Sequence, residues 1–184
     1  MKIIKVPYIN YNLGVPRQHW NSNFSNLIIY DDAIIDVVES FIRKPFNLFI
    51  WGIPGVGKTH LSVSLYKTML AKLEVLDEHG VRFVEWQKFY EAIRGGMEDN
   101  SVEEVLDSLL SSNVLFLDDV PFAMSDFEAK MFSRFIVDRY NTTKKFVITS
   151  NESPSDFMAV FRPHEADRFK HNLVIVQLTG DSKR

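Results

Sequence analysis

The sequence predicts an α/β fold in which five parallel strands form a sheet covered by helices on both faces, giving three layers. Short apolar runs are separated by segments with helical spacing of apolar residues, which is typical of strands joined by crossover helices. The runs are almost continuously apolar, as expected for strands buried on both faces. Polar residues follow several runs, at the sheet edge where such folds bind ligands. The predicted strands span residues 47–51, 81–86, 113–119, 145–151 and 173–178.

The segment before the first strand divides into two parts. Residues 1–25 are predicted to form an irregular N-terminal arm, because Pro7, Gly14 and Pro16 interrupt it and no periodicity is sustained. Residues 26–184 are predicted to form a single domain, since 184 residues with 46% hydrophobic side chains suffice for one core. The first helix of that domain would begin at an N-cap in Asp31-Asp32 and end before Pro45.

Helical patterns connect the predicted strands. The segment after the first strand predicts a helix with one buried stripe, formed by Leu61, Leu65, Met69, Leu70 and Leu73. The next helix would run from Gln87 to about Arg94 and end at Gly95-Gly96. Further helices are predicted over residues 102–110 and 126–140, and two short ones within residues 152–172.

The stretch between the first strand and the following helix carries the strongest functional signal. Residues 52–59 (Gly-Ile-Pro-Gly-Val-Gly-Lys-Thr) fit G-x-x-x-x-G-K-[ST], the phosphate-binding loop called Walker A. Its glycines would let backbone N–H groups approach phosphate oxygens, Lys58 would reach the β- and γ-phosphates, and Thr59 would offer a hydroxyl to Mg²⁺. An ordinary Gly-Pro-Gly turn is the alternative, but the flanking strand and helix favour ATP binding. The predicted nucleotide-binding residues are Gly52, Pro54, Gly55, Val56, Gly57, Lys58, Thr59 and His60.

Two acidic residues follow the third strand. Residues 115–119 (Leu-Phe-Leu-Asp-Asp) have the form of a Walker B strand, in which apolar residues end in a carboxylate. Asp118 is predicted to hold Mg²⁺ together with Thr59, and Asp119 to orient the attacking water or accept its proton. Two acids that only cap a strand end are the alternative, and the phosphate-binding loop favours the catalytic interpretation.

Asn151 and Arg168 complete a predicted catalytic set with Lys58 and Asp119. Asn151 ends the fourth predicted strand, where it would hydrogen-bond the γ-phosphate and water; a turn-forming asparagine is the alternative. Arg168 is a candidate for an arginine that reaches the nucleotide of a neighbouring subunit, a contribution of about 10³–10⁵ in rate. From the residues alone, a solvated surface arginine explains Arg168 equally well.

Composition excludes several function classes. The chain has no cysteine, which excludes disulfides, a thiolate nucleophile and a cysteine zinc site. Its net charge of −3 argues against a wholly basic nucleic-acid coat, so that any DNA contact would use a local patch. No apolar run approaches the roughly 20 residues that span a bilayer, and the N-terminus lacks the features of a secretory signal. We therefore expect a soluble, cytoplasmic protein without a membrane partner.

In this order, the motifs resemble those of AAA+ ATPases, and within them the DnaC/DnaI/IstB group of helicase loaders and transposition helpers. Residues 13–24 look like the "GIP-x-R" lead-in of that group, and residues 51–61 are similar to its WGxPGxGKTHL. Residues 117–121 resemble its LDDIG, with proline in place of the glycine. Residues 138–151 look like its R-Y-N…ITSN, and residues 167–184 like its DRL…GxSxR ending. The resemblance covers nearly the whole chain.

The resemblance implies a P-loop NTPase of the AAA+ type, with strand order 5-1-4-3-2 and with ATP and Mg²⁺ as ligands. It also implies a sensor 1 role for Asn151 and an arginine-finger role for Arg168. No helical lid is expected after the fifth strand. Because only about 45 residues precede the first strand, a phage or mobile-element version of these ATPases is expected.

The leading functional hypothesis is an ATP-hydrolysing helicase loader that forms nucleotide-dependent homo-oligomers on single-stranded DNA. Its partner would be a replicative helicase of the DnaB type or another replication protein. By resemblance, Lys88 and Arg94 would contact DNA phosphates; a helix that simply buries Phe89 and Ile93 is the structural alternative. The other functional hypotheses are an IstB-like transposition helper on duplex DNA and a weakly hydrolysing regulator of a replication protein. The short Asp119 side chain at the water-orienting position motivates the last of these.

Overall fold

Five parallel strands form one sheet in the order β2-β3-β4-β1-β5. This order confirms the expected 5-1-4-3-2, read from the opposite edge of the sheet. The computed structural model describes residues 14–27, 32–72, 80–99, 107, 109–159 and 161–180. The strands are β1 (Asn47–Trp51), β2 (Val81–Glu85), β3 (Val114–Asp118), β4 (Lys145–Ser150) and β5 (Leu173–Gln177).

Helices cover both faces of the sheet, which confirms the predicted three layers. The described helices are α1 (Asp32–Arg43), α2 (Lys58–Lys72), α3 (Trp86–Asp99), α4 (Asp126–Thr142), α5 (Pro154–Met158) and α6 (Pro163–Lys170). Side chains alternate along β1, so that Leu48 and Ile50 pack with α1 and α2, whereas Phe49 packs with α3 to α6. Each face of the sheet therefore has its own hydrophobic core.

The structure corrects the predicted boundaries of the helix after β2. Trp86, predicted as the last residue of the strand, begins α3, and the helix continues through Gly95 and Gly96 to Asp99. A glycine inside a helix costs only about 1 kcal/mol relative to alanine, and the buried Phe89 and Ile93 attach α3 to its core. Two glycines without a following proline therefore did not end this helix.

The described part of the N-terminal arm packs against α2. Residues 14–27 include a 3₁₀ turn, Arg17–His19, and bury Val15 in the core shared with α2. The Lys67 ammonium of α2 donates to the carbonyl oxygens of Trp20 and Ser22 at 2.5 and 2.8 Å. The predicted stripe lies in the core, because Leu61, Leu65 and Met69 are buried and Leu70 packs against them. With the arm on its outer side, α2 is also buried beyond that stripe, all around from Leu61 to Lys67.

Some predictions lie outside the described residues. These are the arm over residues 1–13, Asp31 of the first N-cap, Leu73, and most of the helix expected over residues 102–110. The two short helices expected within residues 152–172 are α5 and α6. Among the described residues, no helix is long and apolar enough to cross a membrane.

Candidate nucleotide site

The phosphate-binding loop connects β1 to α2 and depends on its glycines. Gly52 has φ of 152°, and a Cβ there would lie 2.4 Å from the carbonyl oxygen of Leu178. The loop is held close to the segment after β5, because the Leu178 amide donates to the Trp51 carbonyl at 2.8 Å. Gly57 has φ of 106°, a backbone conformation that residues with a Cβ rarely adopt. The backbone path that follows β1 therefore requires glycine at both positions.

Lys58 begins α2 and turns its side chain back into the loop. The side chain is 7% exposed, and its ammonium donates to the carbonyl oxygens of Gly52 and Ile53 at 2.8 and 3.0 Å. Phosphate oxygens are stronger acceptors than carbonyl oxygens, because their charge assists the hydrogen bond. The ammonium is therefore already inside the loop in which a bound phosphate would lie.

Thr59 links the loop to the third strand. Its hydroxyl donates to Asp118 Oδ2 at 2.9 Å, and the other carboxylate oxygen, Oδ1, accepts from the Thr149 hydroxyl at 2.7 Å. The two predicted metal-holding residues, Thr59 and Asp118, are thus in direct contact. This arrangement fits Mg²⁺, which uses one or two protein carboxylates and fills its other positions with phosphate oxygens and water.

The environment of Asp118 favours a nearby cation. This carboxyl group is 3% exposed, and burial raises its pKa from 3.8 to about 6. Hydrogen bonds from Thr149 and Thr59 lower the pKa, while the neighbouring charges of Asp119 and Glu85 raise it further. A divalent cation beside the carboxylate would offset the cost of keeping its charge away from water. The oxygen ligands of Thr59 and Asp118 and the buried charge of Asp118 therefore both fit Mg²⁺ bound with ATP.

Asp119 and Asn151 lie side by side at the ends of β3 and β4. Asp119 adopts a left-handed backbone conformation with φ of 58°, and its amide donates to the Thr149 hydroxyl at 2.8 Å. The Asn151 side-chain amide donates to Asp119 Oδ1 at 3.1 Å. Both side chains are exposed, so that water can reach the carboxylate.

Arg168 lies on α6 and contacts an aromatic ring of α4. The guanidinium carbon is 5.8 Å from the centre of the Tyr140 ring, and the His171 ring meets the same tyrosine edge-on at 5.1 Å. Tyr140 is 43% exposed. No ion pair of Arg168 with a carboxylate is present within the described part of the chain. The half-buried Arg168 thus lies beside an aromatic ring rather than a carboxylate of the described residues.

The side chain of His60 contacts the arm. Its Nε2 lies 3.2 Å from the Asn23 carbonyl oxygen and 2.9 Å from Asn26 Oδ1. His60 directly follows Thr59, so that its ring connects the start of α2 to residues 14–27. The predicted role of His60 in nucleotide binding remains a prediction.

The two predicted DNA-contacting residues are exposed on α3. Lys88 pairs with Glu85 at 2.5 Å, and the Arg94 guanidinium lies 5.9 Å from the centre of the Tyr90 ring. The burial of Phe89 and Ile93 agrees with the structural alternative for this helix. Contact of Lys88 and Arg94 with DNA remains a prediction.

Sequence reasoning did not single out Thr149. This residue is fully buried, and its hydroxyl donates to the Asp118 carboxylate and accepts from the Asp119 backbone amide. The sequence feature that could have indicated its role is a hydroxyl residue directly after the apolar residues 146–148, in a strand predicted to be buried on both faces. Such a buried polar group requires partners, because leaving it unsatisfied is costly.

The parallel sheet, the glycine loop before α2 and the acids after β3 define the class of this protein: it is a P-loop AAA+ protein. The family model of IstB-like ATP binding proteins matches residues 20–184 of this chain. The chain belongs to this family.

Known relatives cover most of this chain. The ATP-binding protein of insertion sequence IS21 from Pseudomonas aeruginosa is 28% identical over 152 residues, which are 79% of this chain and 55% of the relative. The corresponding protein of insertion sequence IS5376 from Geobacillus stearothermophilus is 24% identical over 150 residues, 79% of this chain and 58% of the relative. The chain thus spans little more than half the length of these relatives.

Solved structures share the fold. A crystal structure of the DnaC helicase loader has a TM-score of 0.78 at 23% identity, covering 89% of this chain and 100% of that one. The structure of DnaI has a TM-score of 0.74 at 23% identity, covering 92% of this chain and 94% of that one. A replication initiator DnaA bound to AMPPCP and single-stranded DNA has a TM-score of 0.73 at 20% identity, covering 91% of this chain and 51% of that one.

Proposed function

We propose that this protein hydrolyses ATP and uses the nucleotide cycle to assemble on DNA as a helicase loader. One observation carries the enzymatic part of the proposal: a continuous series of hydrogen bonds joins Thr59, Asp118, Thr149, Asp119 and Asn151. A protein that only binds nucleotide has no need for an accessible carboxylate beyond its metal-holding acid. Here Asp119 supplies that carboxylate, and the side-chain amide of Asn151 orients it.

Each side chain of the site has a proposed role in hydrolysis. Lys58 would exchange the carbonyl oxygens of Gly52 and Ile53 for phosphate oxygens as ATP enters the loop. Thr59 and Asp118 would hold Mg²⁺, which neutralises charge on the phosphates. Asp119 would orient the attacking water and accept its proton, and Asn151 would keep that carboxylate in place.

The assembly part of the proposal depends on Arg168. Because its guanidinium lies against a partly exposed ring and has no carboxylate partner among the described residues, it is available to a phosphate of a neighbouring subunit. Hydrolysis would then require subunits in contact, as in other ATPases with an arginine supplied in trans. We propose that single-stranded DNA organises these subunits and that a DnaB-type replicative helicase is the partner.

The loader reading is supported by the order of motifs along the chain. The likeness to the DnaC helicase loader and to DnaI supports the fold that this reading requires. The DnaA structure with AMPPCP and single-stranded DNA offers a similar fold as a precedent for this combination of ligands.

A transposition helper on duplex DNA is the second candidate. The matching family model and the relatives named for insertion sequences favour it. It would use the same nucleotide site, so that DNA preference and partner distinguish it from the loader. A third candidate is a regulator that binds ATP but hardly hydrolyses it, since an aspartate holds the water further off than a glutamate would.

Turnover measurements test the enzymatic proposal. Asp119→Asn should keep the backbone conformation, because asparagine also tolerates positive φ. We expect it to bind ATP like the parent protein and to lose hydrolysis by about 10²–10⁴-fold. Lys58→Ala should instead lose nucleotide binding. Turnover near background for the parent protein at every concentration, with or without DNA, would favour the third candidate.

Fluorescence anisotropy separates the two DNA-directed candidates. A labelled single-stranded oligonucleotide and its duplex are titrated with protein in the presence of an ATP analogue or ADP. Preferential binding of the single strand with the ATP analogue supports the loader. Preference for the duplex favours the transposition helper, and binding to neither contradicts both.

A further inference from the structure

The buried hydroxyl of Thr149 contacts both acids of the site. Thr149 Oγ1 donates to Asp118 Oδ1 at 2.7 Å and accepts from the Asp119 amide at 2.8 Å. The side chain is fully buried in β4. The backbone carbonyl of Thr149 also accepts from the Val120 amide at 2.9 Å. Thr149 therefore holds two consecutive amides of the segment after β3, those of Asp119 and Val120.

The chemistry of a hydroxyl suits this position. A hydroxyl has one proton to donate and two lone pairs to accept with, and can therefore serve a carboxylate and an amide at once. Valine has nearly the same shape and can do neither. Serine retains both capacities and loses only a methyl group. The three side chains therefore separate hydrogen bonding from packing at a single site.

The position of Thr149 follows from the register of the sheet. Leu117 pairs with Ile148 in the parallel β3–β4 ladder, which makes Asp118 and Thr149 the next residues along the two strands. Asp119 then turns into the left-handed conformation, with φ of 58°. This conformation is uncommon for a residue with a side chain, and the bond from its amide to Thr149 helps to hold it.

We propose that Thr149 is a positioning residue that fixes the metal-holding acid Asp118 and the water-orienting acid Asp119 relative to each other through one hydroxyl. Loss of this hydroxyl would leave the acids present but free to move apart. The inference rests on the proposed ATP hydrolysis for its kinetic part. Its structural part concerns the Asp119 amide and is independent of turnover.

Three variants test the inference by steady-state kinetics. Thr149→Val should lower kcat by about 10- to 100-fold, the range expected for losing one hydrogen bond to a charged group and the orientation it gives. KM for ATP should change much less, since the phosphate loop is untouched. Thr149→Ser should retain kcat within about threefold of the parent. Ser150→Ala is the matched control, because that buried hydroxyl bonds the Val120 carbonyl and neither acid.

Two further readouts do not depend on turnover. Exchange of the Asp119 amide, followed by NMR without nucleotide, should be at least about tenfold faster in Thr149→Val than in the parent or in Thr149→Ser. The Mg²⁺ concentration for half-maximal binding of a fluorescent ATP analogue should rise several-fold in Thr149→Val alone. If Thr149→Val fails to fold, Thr149→Cys, with a weakly bonding thiol, takes its place.

The outcomes separate this inference from the proposed function. Parent protein without turnover would refute the proposed hydrolysis, while amide exchange and Mg²⁺ dependence would still decide the role of Thr149. Active parent protein with Thr149→Val at near-parental kcat would overturn the inference and leave hydrolysis standing. Equal losses in the valine and serine variants would also overturn it, because packing rather than hydrogen bonding would then be responsible. Unchanged exchange of the Asp119 amide in the valine variant would do so too.

Discussion

At the scale of single residues, the buried carboxylate of Asp118 lowers the free energy of unfolding of the nucleotide-free protein. The carboxyl group is buried and, among the described residues, accepts from the hydroxyls of Thr59 and Thr149; burial raises its pKa from 3.8 to about 6. Folding therefore shifts the protonation equilibrium of this carboxyl group towards its neutral form, although the group is still mostly ionised at pH 7.5. Because the pKa is higher in the folded than in the unfolded chain, the stabilising contribution is fully present below about pH 4 and is lost as pH rises through about 6.

Asp118→Asn should accordingly stabilise the nucleotide-free protein at pH 7.5. The rise in pKa to about 6 corresponds to roughly 2–3 kcal/mol at about 1.4 kcal/mol per pH unit, which is the upper range of the expected gain. The gain should shrink as pH falls towards 4, since the parent carboxyl group then becomes protonated. Urea unfolding in EDTA at several pH values measures this difference.

The nucleotide supplies the control for this experiment. Mg²⁺ and a non-hydrolysable ATP analogue should stabilise the parent protein more than Asp118→Asn, because the variant has lost the charge that holds the cation. A variant that is less stable at pH 7.5, or a gain that does not depend on pH, would contradict the electrostatic explanation.

The site was predictable from the sequence where a local motif determines it. Lys58 and Thr59 belong to the loop pattern, and Asp118 and Asp119 directly follow an apolar strand, so that their proximity followed from the parallel sheet. The bonds of the Thr149 hydroxyl could not be predicted in this way. They depend on the register between β3 and β4, which spacing along one chain does not determine.

At the scale of secondary-structure elements, Arg139 fastens α4 to the segment before β3. The side chain is 1% exposed and donates to the carbonyl oxygens of Ser112 and Leu109 and to the Ser112 hydroxyl. Burial lowers its pKa to about 10, so that it stays charged at neutral pH. Its contacts are carbonyl and hydroxyl groups that few other side chains could satisfy together.

Arg139→Ala should lower the free energy of unfolding by roughly 2–4 kcal/mol, because it leaves buried carbonyl groups without donors and opens a cavity. Equilibrium urea unfolding measures this change. Lys130→Ala, at an exposed position of the same helix, should stay within about 0.5 kcal/mol. A folded, fully stable Arg139→Ala protein without turnover would instead make Arg139 a functional residue.

The arm and α2 form a second connection between elements. Lys67→Met keeps the apolar stem and removes the ammonium that bonds the Trp20 and Ser22 carbonyls. We expect amide exchange across residues 17–26 to become faster, while β1 and β4 remain protected. Hydrogen exchange by mass spectrometry tests this, with the exposed Lys170→Met as control. Unchanged protection of residues 17–26 would show that the other contacts of the arm, burial of Val15 and the bonds of His60, are sufficient to hold it.

Element boundaries were predictable only as far as local signals decide them. The Ser125 N-cap, with its capping box to Glu128, fixes the start of α4 close to the predicted residue. Gly95-Gly96 predicts a helix end, yet α3 is stabilised by packing of its earlier residues and continues past both glycines. The stripe predicted for α2 is buried, but the burial of its outer face was not predictable, because it depends on the folded arm.

At the scale of the whole molecule, the proposed assembly depends on Arg168 and on the Tyr140 ring beside it. The guanidinium carbon lies 5.8 Å from the centre of the Tyr140 ring, and this tyrosine remains 43% exposed. A cation held on an aromatic face keeps its charge available to an incoming phosphate, whereas a local carboxylate would neutralise it. Turnover per subunit should therefore increase with protein concentration.

Arg168→Ala should bind ATP like the parent protein and lose hydrolysis by about 10³-fold or more. Tyr140→Ala should lose part of the activity, because the guanidinium then lacks its support, whereas Tyr140→Phe should retain it. The decisive measurement mixes two inactive variants. Lys58→Ala subunits keep Arg168, and Arg168→Ala subunits keep an intact nucleotide site, so that turnover should reappear only in the mixture.

The control for the mixing experiment is the exposed Lys170→Ala, which changes a neighbouring charge on α6 and should remain active alone. Recovery in the mixture requires that one subunit's arginine acts on another subunit's nucleotide, because neither variant has both groups. Unchanged turnover of Arg168→Ala by itself would remove the arginine from the reaction. Loss in Arg168→Ala without recovery on mixing would limit its role to its own subunit, and the assembly part of the proposal would then fail while the ATPase part stood.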